Sequence, residues 1–201
     1  MKSQTTKALV GMGILTAIVI VLQAFASAIK FGPFSITLVL APIVIGAALY
    51  GWKAGGWLGL VFGAMVLLSG DAAPFLAINV PSTIILCLLK GAVAGIAAGL
   101  VYQLVSKKSR LAGVLCAGIA CPVVNTGIFL LGCLVFFLDT IKAWGAGAGY
   151  ENVGAYFLFG FVGLNFVIEL VINLVLSTAI VQILNTIEHG NAGAGVGSQG
   201  V

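Results

Sequence analysis

Long apolar stretches, separated by short polar or glycine-containing turns, run along most of this chain. A helix needs roughly 20 mostly apolar residues to cross about 30 Å of hydrocarbon. The stretches predict six helices, at about residues 6–28, 35–50, 54–69, 79 or 82–106, 111–138 and 157–187, with a long polar, Gly-rich loop over residues 139–156. We therefore expect an all-α integral membrane protein, with six transmembrane helices in a compact bundle over residues 1–188 and a flexible Gly-rich C-terminal tail over residues 189–201.

Composition agrees with this pattern and narrows the possible functions. Hydrophobic residues make up 61% of the chain and charged residues only 7%, against about 25% charged residues in soluble domains. The net charge of +4 is small and dispersed, so we expect no nucleic-acid partner. The cysteines lie in apolar segments without CxxC pairing or a nearby histidine, so we expect reduced packing residues rather than a metal site: Cys87, Cys116, Cys121 and Cys133.

The basic residues predict the orientation of the chain. Ala24-Phe25-Ala26 resembles a signal-peptidase site, but the apolar run continues through Ile29, so we expect a retained first helix. Positive residues favour the cytoplasmic side. A cytoplasmic amino terminus leaves only Lys30 and Lys142 outside, and six residues inside, so both termini are predicted to be cytoplasmic: Lys2, Lys7, Lys53, Lys107, Lys108 and Arg110.

Two ionisable side chains and one amide are predicted near the middle of the membrane. Lys90 lies in the fourth helix, Asn125 in the fifth and Glu169 in the sixth, and a rise of about 1.5 Å per residue gives them similar depths. Ionisable groups at this depth generally face a bundle interior or a cavity, and are candidates for a functional role. We therefore expect one polar layer shared by three helices.

Two interpretations of this layer remain open. In the first, Lys90 and Glu169 form a structural ion pair and Asn125 is their hydrogen-bond partner, because each charge is costly alone in a low dielectric. In the second, the layer is the floor of an outward-facing pocket, where Lys90 attracts the carboxylate of a solute. Asn79 and Asn165 are predicted closer to the outer surface, and are candidates for direct contact with the solute.

Small residues recur four positions apart on three predicted helices. Gly13 and Ala17 lie in the first helix, and two further glycine ridges lie in the third and fourth, at Gly55, Gly59 and Gly63 and at Gly91, Gly95 and Gly99. Small residues at this spacing allow another helix to approach closely in a membrane. The pair in the first helix serves either packing within the bundle or docking to another protein.

The chain lacks the sequence motifs of common enzymes. It has no GxSxG, HExxH or P-loop sequence, and its one histidine, His189, follows the last predicted helix. We therefore predict that it is not an enzyme and that it needs no metal or cofactor. Any ATP-driven transport would require ATPase subunits from a partner.

Several segments resemble the substrate-binding S components of energy-coupling factor (ECF) vitamin transporters, most closely the pantothenate-type members. The resemblance extends from about residue 6 to 188 and is carried by Gly13–Ala17, Ile36–Gly51, Lys90–Gly95 and Pro122–Phe129. It implies a vitamin pocket near the outer surface, formed mainly by helices 4, 5 and 6 and covered by the loops after helices 1 and 3. It also implies a multi-pass protein of the bacterial cytoplasmic membrane.

The resemblance further implies partners and a docking site. By this resemblance, the chain docks through a face that includes helix 1 onto a membrane coupling subunit driven by two cytoplasmic ATPases, and topples in the membrane to release its cargo. Gly13 and Ala17 match the AxxxA-type docking motif of the family, with glycine at its first position. Two alternatives stay open: an autonomous secondary carrier, and a membrane assembly subunit without solute binding.

Among vitamins, pantothenate is the preferred solute. It is a small anion with an amide and two hydroxyls, which suits one lysine among several asparagines. A neutral vitamin would also fit if Glu169 cancels the charge of Lys90.

Overall fold

The structure is a computed structural model that describes residues 2–27, 30–31, 34–35, 38–161, 163, 166–176, 179 and 181–182. The predicted tail, residues 189–201, and the end of the predicted sixth helix lie outside these residues. The described chain is almost entirely helical. Its elements are α1 (Lys2–Ala26), β1 (Lys30–Phe31), β2 (Phe34–Ser35), α2 (Leu40–Tyr50), α3 (Trp52–Leu68), α4 (Ala73–Leu76), α5 (Val80–Val105), α6 (Arg110–Phe136), α7 (Leu138–Gly147), α8 (Val153–Ala155), a π-helix (Tyr156–Phe161) and α9 (Phe166–Leu176).

Length and composition identify the helices that belong in a membrane. Within the described residues, α1 from Thr6, α5 and α6 are long and apolar enough to cross a bilayer, and α2, α3 and α9 are shorter apolar helices. The chain is therefore an α-helical multi-pass membrane protein, as the sequence predicts. The exact number of six spans and the cytoplasmic position of both termini stay predictions.

The second predicted helix begins later than the sequence pattern suggests. Instead of starting at Ser35, the chain forms a two-residue antiparallel ladder between β1 and β2, and α2 begins at Leu40. The ladder engages backbone groups near Ser35 that a helix would otherwise use. The later start also places Pro42 in the first turn of α2, where its missing N–H removes no helical hydrogen bond.

The segment predicted as a long polar loop, residues 139–156, is mostly helical. It contains α7 and α8, and it leads into the π-helix rather than directly into an α-helical sixth span. In α7, Ile141 and Gly145 are four residues apart and both are buried. This one-sided burial stabilises a helix despite the glycines, so the prediction of a loop was wrong.

The two glycine ridges pack against each other, with α3 and α5 running antiparallel. A Cβ atom at Gly55 would overlap the carbonyl oxygen of Gly95, and one at Gly59 would overlap that of Gly91. One turn further along α3, Gly63 meets the carbonyl oxygen of Cys87 in the same way. The two backbones therefore touch over three successive turns, which confirms the predicted close packing and identifies its partners.

An aromatic cluster closes one end of the bundle. Phe75 in α4 makes edge-to-face contacts with Phe129, Phe137 and Trp144, at ring-centroid distances of 5.7, 5.0 and 5.5 Å. We call these four residues the aromatic cap. The cap joins the short segment after α3 to the second half of α6 and to α7, so these connections are packed onto the bundle.

The glycine contact gives a direct test of the packing. We expect Gly59→Ala to lower the free energy of unfolding by about 1–3 kcal/mol, because its methyl group would be forced against the Gly91 backbone. The measurement is denaturation of the purified protein in mild detergent by sodium dodecyl sulfate. Gly127→Ala is the matched control, since nothing lies within 4 Å of a Cβ at Gly127; equal destabilisation by both changes would contradict the packing.

The aromatic cap gives a second test. Phe75 is 5% exposed, and Phe75→Ala removes three ring contacts, so we expect a loss of about 3–5 kcal/mol in the free energy of unfolding. Phe159 is 77% exposed and supplies the control, because Phe159→Ala should change the free energy of unfolding by less than about 0.5 kcal/mol. The same titration in detergent compares the two variants. A Phe75→Ala protein as stable as wild type would show that the aromatic cap does not stabilise the fold.

Candidate functional site

Lys90 lies in the interior part of α5 with its ammonium group held between two aromatic rings. Its Nζ is 5.5 Å from the centroid of Phe62 in α3 and 5.1 Å from that of Phe129 in α6. In the part of the chain that the structure describes, no carboxylate forms an ion pair with this ammonium group. Ring faces attract a cation through their quadrupole, so the two phenylalanines replace part of the solvation that Lys90 loses.

The glycine contact between α3 and α5 explains why Phe62 reaches Lys90. Phe62 precedes Gly63, and Lys90 precedes Gly91. Both glycines belong to the ridges whose backbones touch. Larger side chains at these positions would move the helices apart and withdraw the Phe62 ring from the ammonium group.

Asn125 lies one turn before Phe129 on α6. Its side chain is 5% exposed, and its Oδ1 is buried and accepts no hydrogen bond within the described ranges. Pro122 sits inside the same helix, three residues earlier, and it cannot donate the backbone hydrogen bond that the Gly118 carbonyl would otherwise accept. Asn125 thus has a buried acceptor one helical turn from Phe129, one of the two rings beside Lys90.

Glu169 lies on α9. It is buried, and its backbone carbonyl accepts a 2.9 Å hydrogen bond from Nδ2 of Asn173, which is also buried.

The structure connects two members of the predicted polar layer through α6, because Lys90 contacts Phe129 and Asn125 lies one turn earlier on that helix. The structural ion pair between Lys90 and Glu169 is not formed among the described residues. Helix rise alone gives similar depths for these side chains, but it ignores how helices are shifted relative to one another and where long side chains reach.

The two remaining predicted contact residues are placed differently. Asn79 is exposed, and its Oδ1 accepts a 3.1 Å hydrogen bond from the backbone N–H of Ser82, so it is the N-cap of α5. It precedes Lys90 by 11 residues, or about 16 Å along the helix. Asn165 lies outside the described residues.

A polar contact between α1 and the segment after α3 was missed in the sequence. Gln23 is 1% exposed, and its Nε2 donates a 2.7 Å hydrogen bond to Oδ2 of Asp71. The hydroxyl of Ser69 lies 3.3 Å from the same carboxylate oxygen. Gln23 is an amide inside an apolar helix, the same signal that singled out Asn125, and it could have been identified on that ground.

The small residues of α1 face outward. A Cβ atom at Gly13 would meet nothing within 4 Å, and both Gly13 and Ala17 are exposed. Large apolar side chains surround them on the same helix, including Val10, Ile14 and Val21. This face is thus not used for packing by the described part of the chain.

Comparisons with known proteins identify the family of the chain. The family described as "ECF transporter, substrate-specific component" matches residues 7–181. A protein named "Pantothenic acid transporter PanT", from Lactococcus lactis subsp. cremoris (strain MG1363), is 28% identical over 190 residues, which cover 86% of this chain and 91% of that protein. No solved structure matches the chain significantly.

The family match covers most of the chain, including α1, the glycine ridges, Lys90, Asn125 and Glu169. The family is one of transporter subunits rather than of enzymes. This chain belongs to the ECF transporter family of substrate-specific components and is a multi-pass, vitamin-binding transporter subunit of the cell membrane.

Proposed function

We propose that this chain captures pantothenate for an ATP-driven ECF importer. The observation that carries the proposal is the ammonium group of Lys90, which lies inside a membrane helix bundle without a carboxylate partner among the described residues. Pantothenate is a small anion with an amide and two hydroxyls. The 28% identity to the Lactococcus pantothenic acid transporter over 86% of the chain supports the same solute.

The proposed binding residues are supported by different observations. Lys90 and Asn125 are supported by their unsatisfied charge and hydrogen-bonding capacity near Phe129. Glu169 is buried on α9, and as a carboxylate it can accept a hydrogen bond from a solute hydroxyl. Asn79 and Asn165 are proposed from the sequence alone, and the capping role of Asn79 makes it the weaker of the two.

The proposed source of energy is a partner complex. We expect a membrane coupling subunit that contacts α1 and two cytoplasmic ATPases that drive it. The outward-facing Gly13 and Ala17 support contact through α1, because small residues allow close helix approach in a membrane. In this arrangement the chain binds the solute and the partners supply the work of transport.

Calorimetric titration of the purified chain with separate vitamins tests the solute. The panel contains pantothenate and nicotinate as anions, riboflavin as a neutral molecule and thiamine as a cation. We expect tight binding of pantothenate and no heat from thiamine. Absence of binding to every vitamin would contradict the proposal, as would pantothenate uptake into liposomes that hold this chain alone, which is expected of an autonomous carrier.

Substitution on α1 tests docking separately from binding. Gly13→Leu places a large side chain on the exposed face, so we expect pantothenate uptake by cells to fall at least about tenfold while the affinity of the purified chain is unchanged. Gly147→Leu is the control, because Gly147 also has open space around it but lies at the end of α7. Normal uptake by cells with the Gly13→Leu protein would show that this face of α1 does not dock to the partner.

A further inference from the structure

The surroundings of Lys90 leave its charge incompletely compensated. The rings of Phe62 and Phe129 lie 5.5 and 5.1 Å from its ammonium nitrogen. A ring face attracts a cation but accepts no strong hydrogen bond, whereas an ammonium group has three donors. Lys90 is half-buried, and the described residues hold it in place without supplying the anion that a cation in a membrane helix bundle favours.

Glu169 does not supply that anion in this structure. Lys90 and Glu169 both lie in the part of the chain that the structure describes, and no ion pair joins them there. The groups that the structure places beside the ammonium nitrogen are the rings of Phe62 and Phe129.

Asn125 supplies a second, complementary group. Its buried Oδ1 accepts no hydrogen bond within the described part of the chain, and a buried acceptor without a donor is costly. Asn125 and Phe129 are four residues apart, on one face of α6 and about 6 Å apart along its axis. An ammonium donor near Phe129 and an amide acceptor one turn away thus face the same part of the bundle.

Building on the proposed function, we infer that these groups form two-point recognition of a solute that carries both a carboxylate and a hydrogen-bond donor. Lys90 binds the carboxylate. Asn125 accepts a hydrogen bond from a hydroxyl or amide N–H roughly 6 Å from it. Phe62 and Phe129 are positioning residues: they orient Lys90 without neutralising it, which a carboxylate in their place would do.

The inference explains the use of aromatic residues beside the cation. An acidic side chain next to Lys90 would stabilise the empty protein more strongly, but it would compete with the carboxylate of the solute. Ring faces attract the ammonium group weakly enough that a bound carboxylate still gains from it. The site thereby selects anions over neutral molecules of the same shape.

A matched pair of ligands separates the two contacts. Pantothenate carries the carboxylate, and in pantothenyl alcohol a neutral CH2OH group replaces it while the amide and the two hydroxyls remain. Calorimetry on the purified full chain in detergent gives the affinity for each ligand and their ratio. Size-exclusion chromatography and melting temperatures establish that each variant is folded.

We expect Lys90→Met to lower the affinity for pantothenate about 10- to 100-fold, because the variant loses a charged hydrogen bond. The same change should lower the affinity for the alcohol less than about threefold. Asn125→Leu should lower both affinities by a similar factor of about 3- to 30-fold, because both ligands keep the donor. Lys90→Met thus changes the ratio of the two affinities, and Asn125→Leu leaves that ratio unchanged.

Phe129, one of the two positioning residues, is tested with its own pair of variants. Phe129→Leu should lower the affinity for pantothenate about 3- to 30-fold and reduce the preference over the alcohol, whereas Phe129→Tyr keeps a ring face and should restore both. Phe136→Leu is the matched control on the same helix, since Phe136 is exposed and makes no contact with Lys90. We expect it to bind both ligands as wild type does.

The outcomes distinguish this inference from the proposed function. Suppose that wild type binds pantothenate, but Lys90→Met lowers the affinities for pantothenate and for its alcohol by the same factor. The carboxylate contact is then wrong, and the proposed function stands. Lys90→Gln replaces Lys90→Met if that variant aggregates. Equal affinity of wild type for pantothenate and its alcohol overturns the inference in the same way. If wild type binds none of the tested vitamins, the proposed function and the inference both fail.

Discussion

The contact between the glycine backbones of α3 and α5 is the interaction on which the rest of the structure depends. In a membrane, helix association gains little from the hydrophobic effect and relies on close packing and hydrogen bonding. At Gly59 and Gly91 the two backbones leave no room for a Cβ atom. This closeness fixes how far α3 lies from α5, and with it the position of Phe62 beside Lys90.

The second constraint is the cost of placing a charge inside such a bundle. A lysine at this depth must reach water, an anion or a substitute for either. In the described structure Lys90 reaches two ring faces, and one of them, Phe129, belongs to the aromatic cap and contacts Phe75. The environment of the ammonium group is therefore connected mechanically to the segment between α3 and α5. Gln23 and Asp71 attach that segment to α1 as well, so the region around Lys90 and the proposed docking helix are linked through the structure.

The hydropathy pattern was sufficient to predict the membrane class and most of the helices, because an apolar run of about 20 residues has few other stable states. It also predicted that the glycine ridges pack closely, although not that they pack against each other. It failed where local packing outweighs residue preference: α7 forms despite its glycines because Ile141 and Gly145 are buried on one side, and pairing of β1 with β2 delays the start of α2.

The candidate site was predicted in part for a similar reason. Lys90, Asn125 and Glu169 are recognisable in sequence because polar groups at membrane depth are rare and costly. Phe62 and Phe129 are not recognisable, since a phenylalanine in an apolar helix is ordinarily a packing or lipid-facing residue, and only the three-dimensional contact assigns it to the lysine. The single polar layer was likewise an estimate of depth along each helix, which contains no information about rotation or relative shift.

The most direct test of the central claim, that this subunit captures an anionic vitamin at Lys90, is mass spectrometry of the small molecules released from the chain. The protein is expressed in cells grown with a complete vitamin mixture, purified rapidly in mild detergent and denatured, with Lys90→Met prepared in parallel. The account predicts pantothenate at close to one molecule per chain in wild type and a strongly reduced amount in the variant. Recovery of a neutral or cationic vitamin, or equal recovery of pantothenate from both proteins, would contradict it.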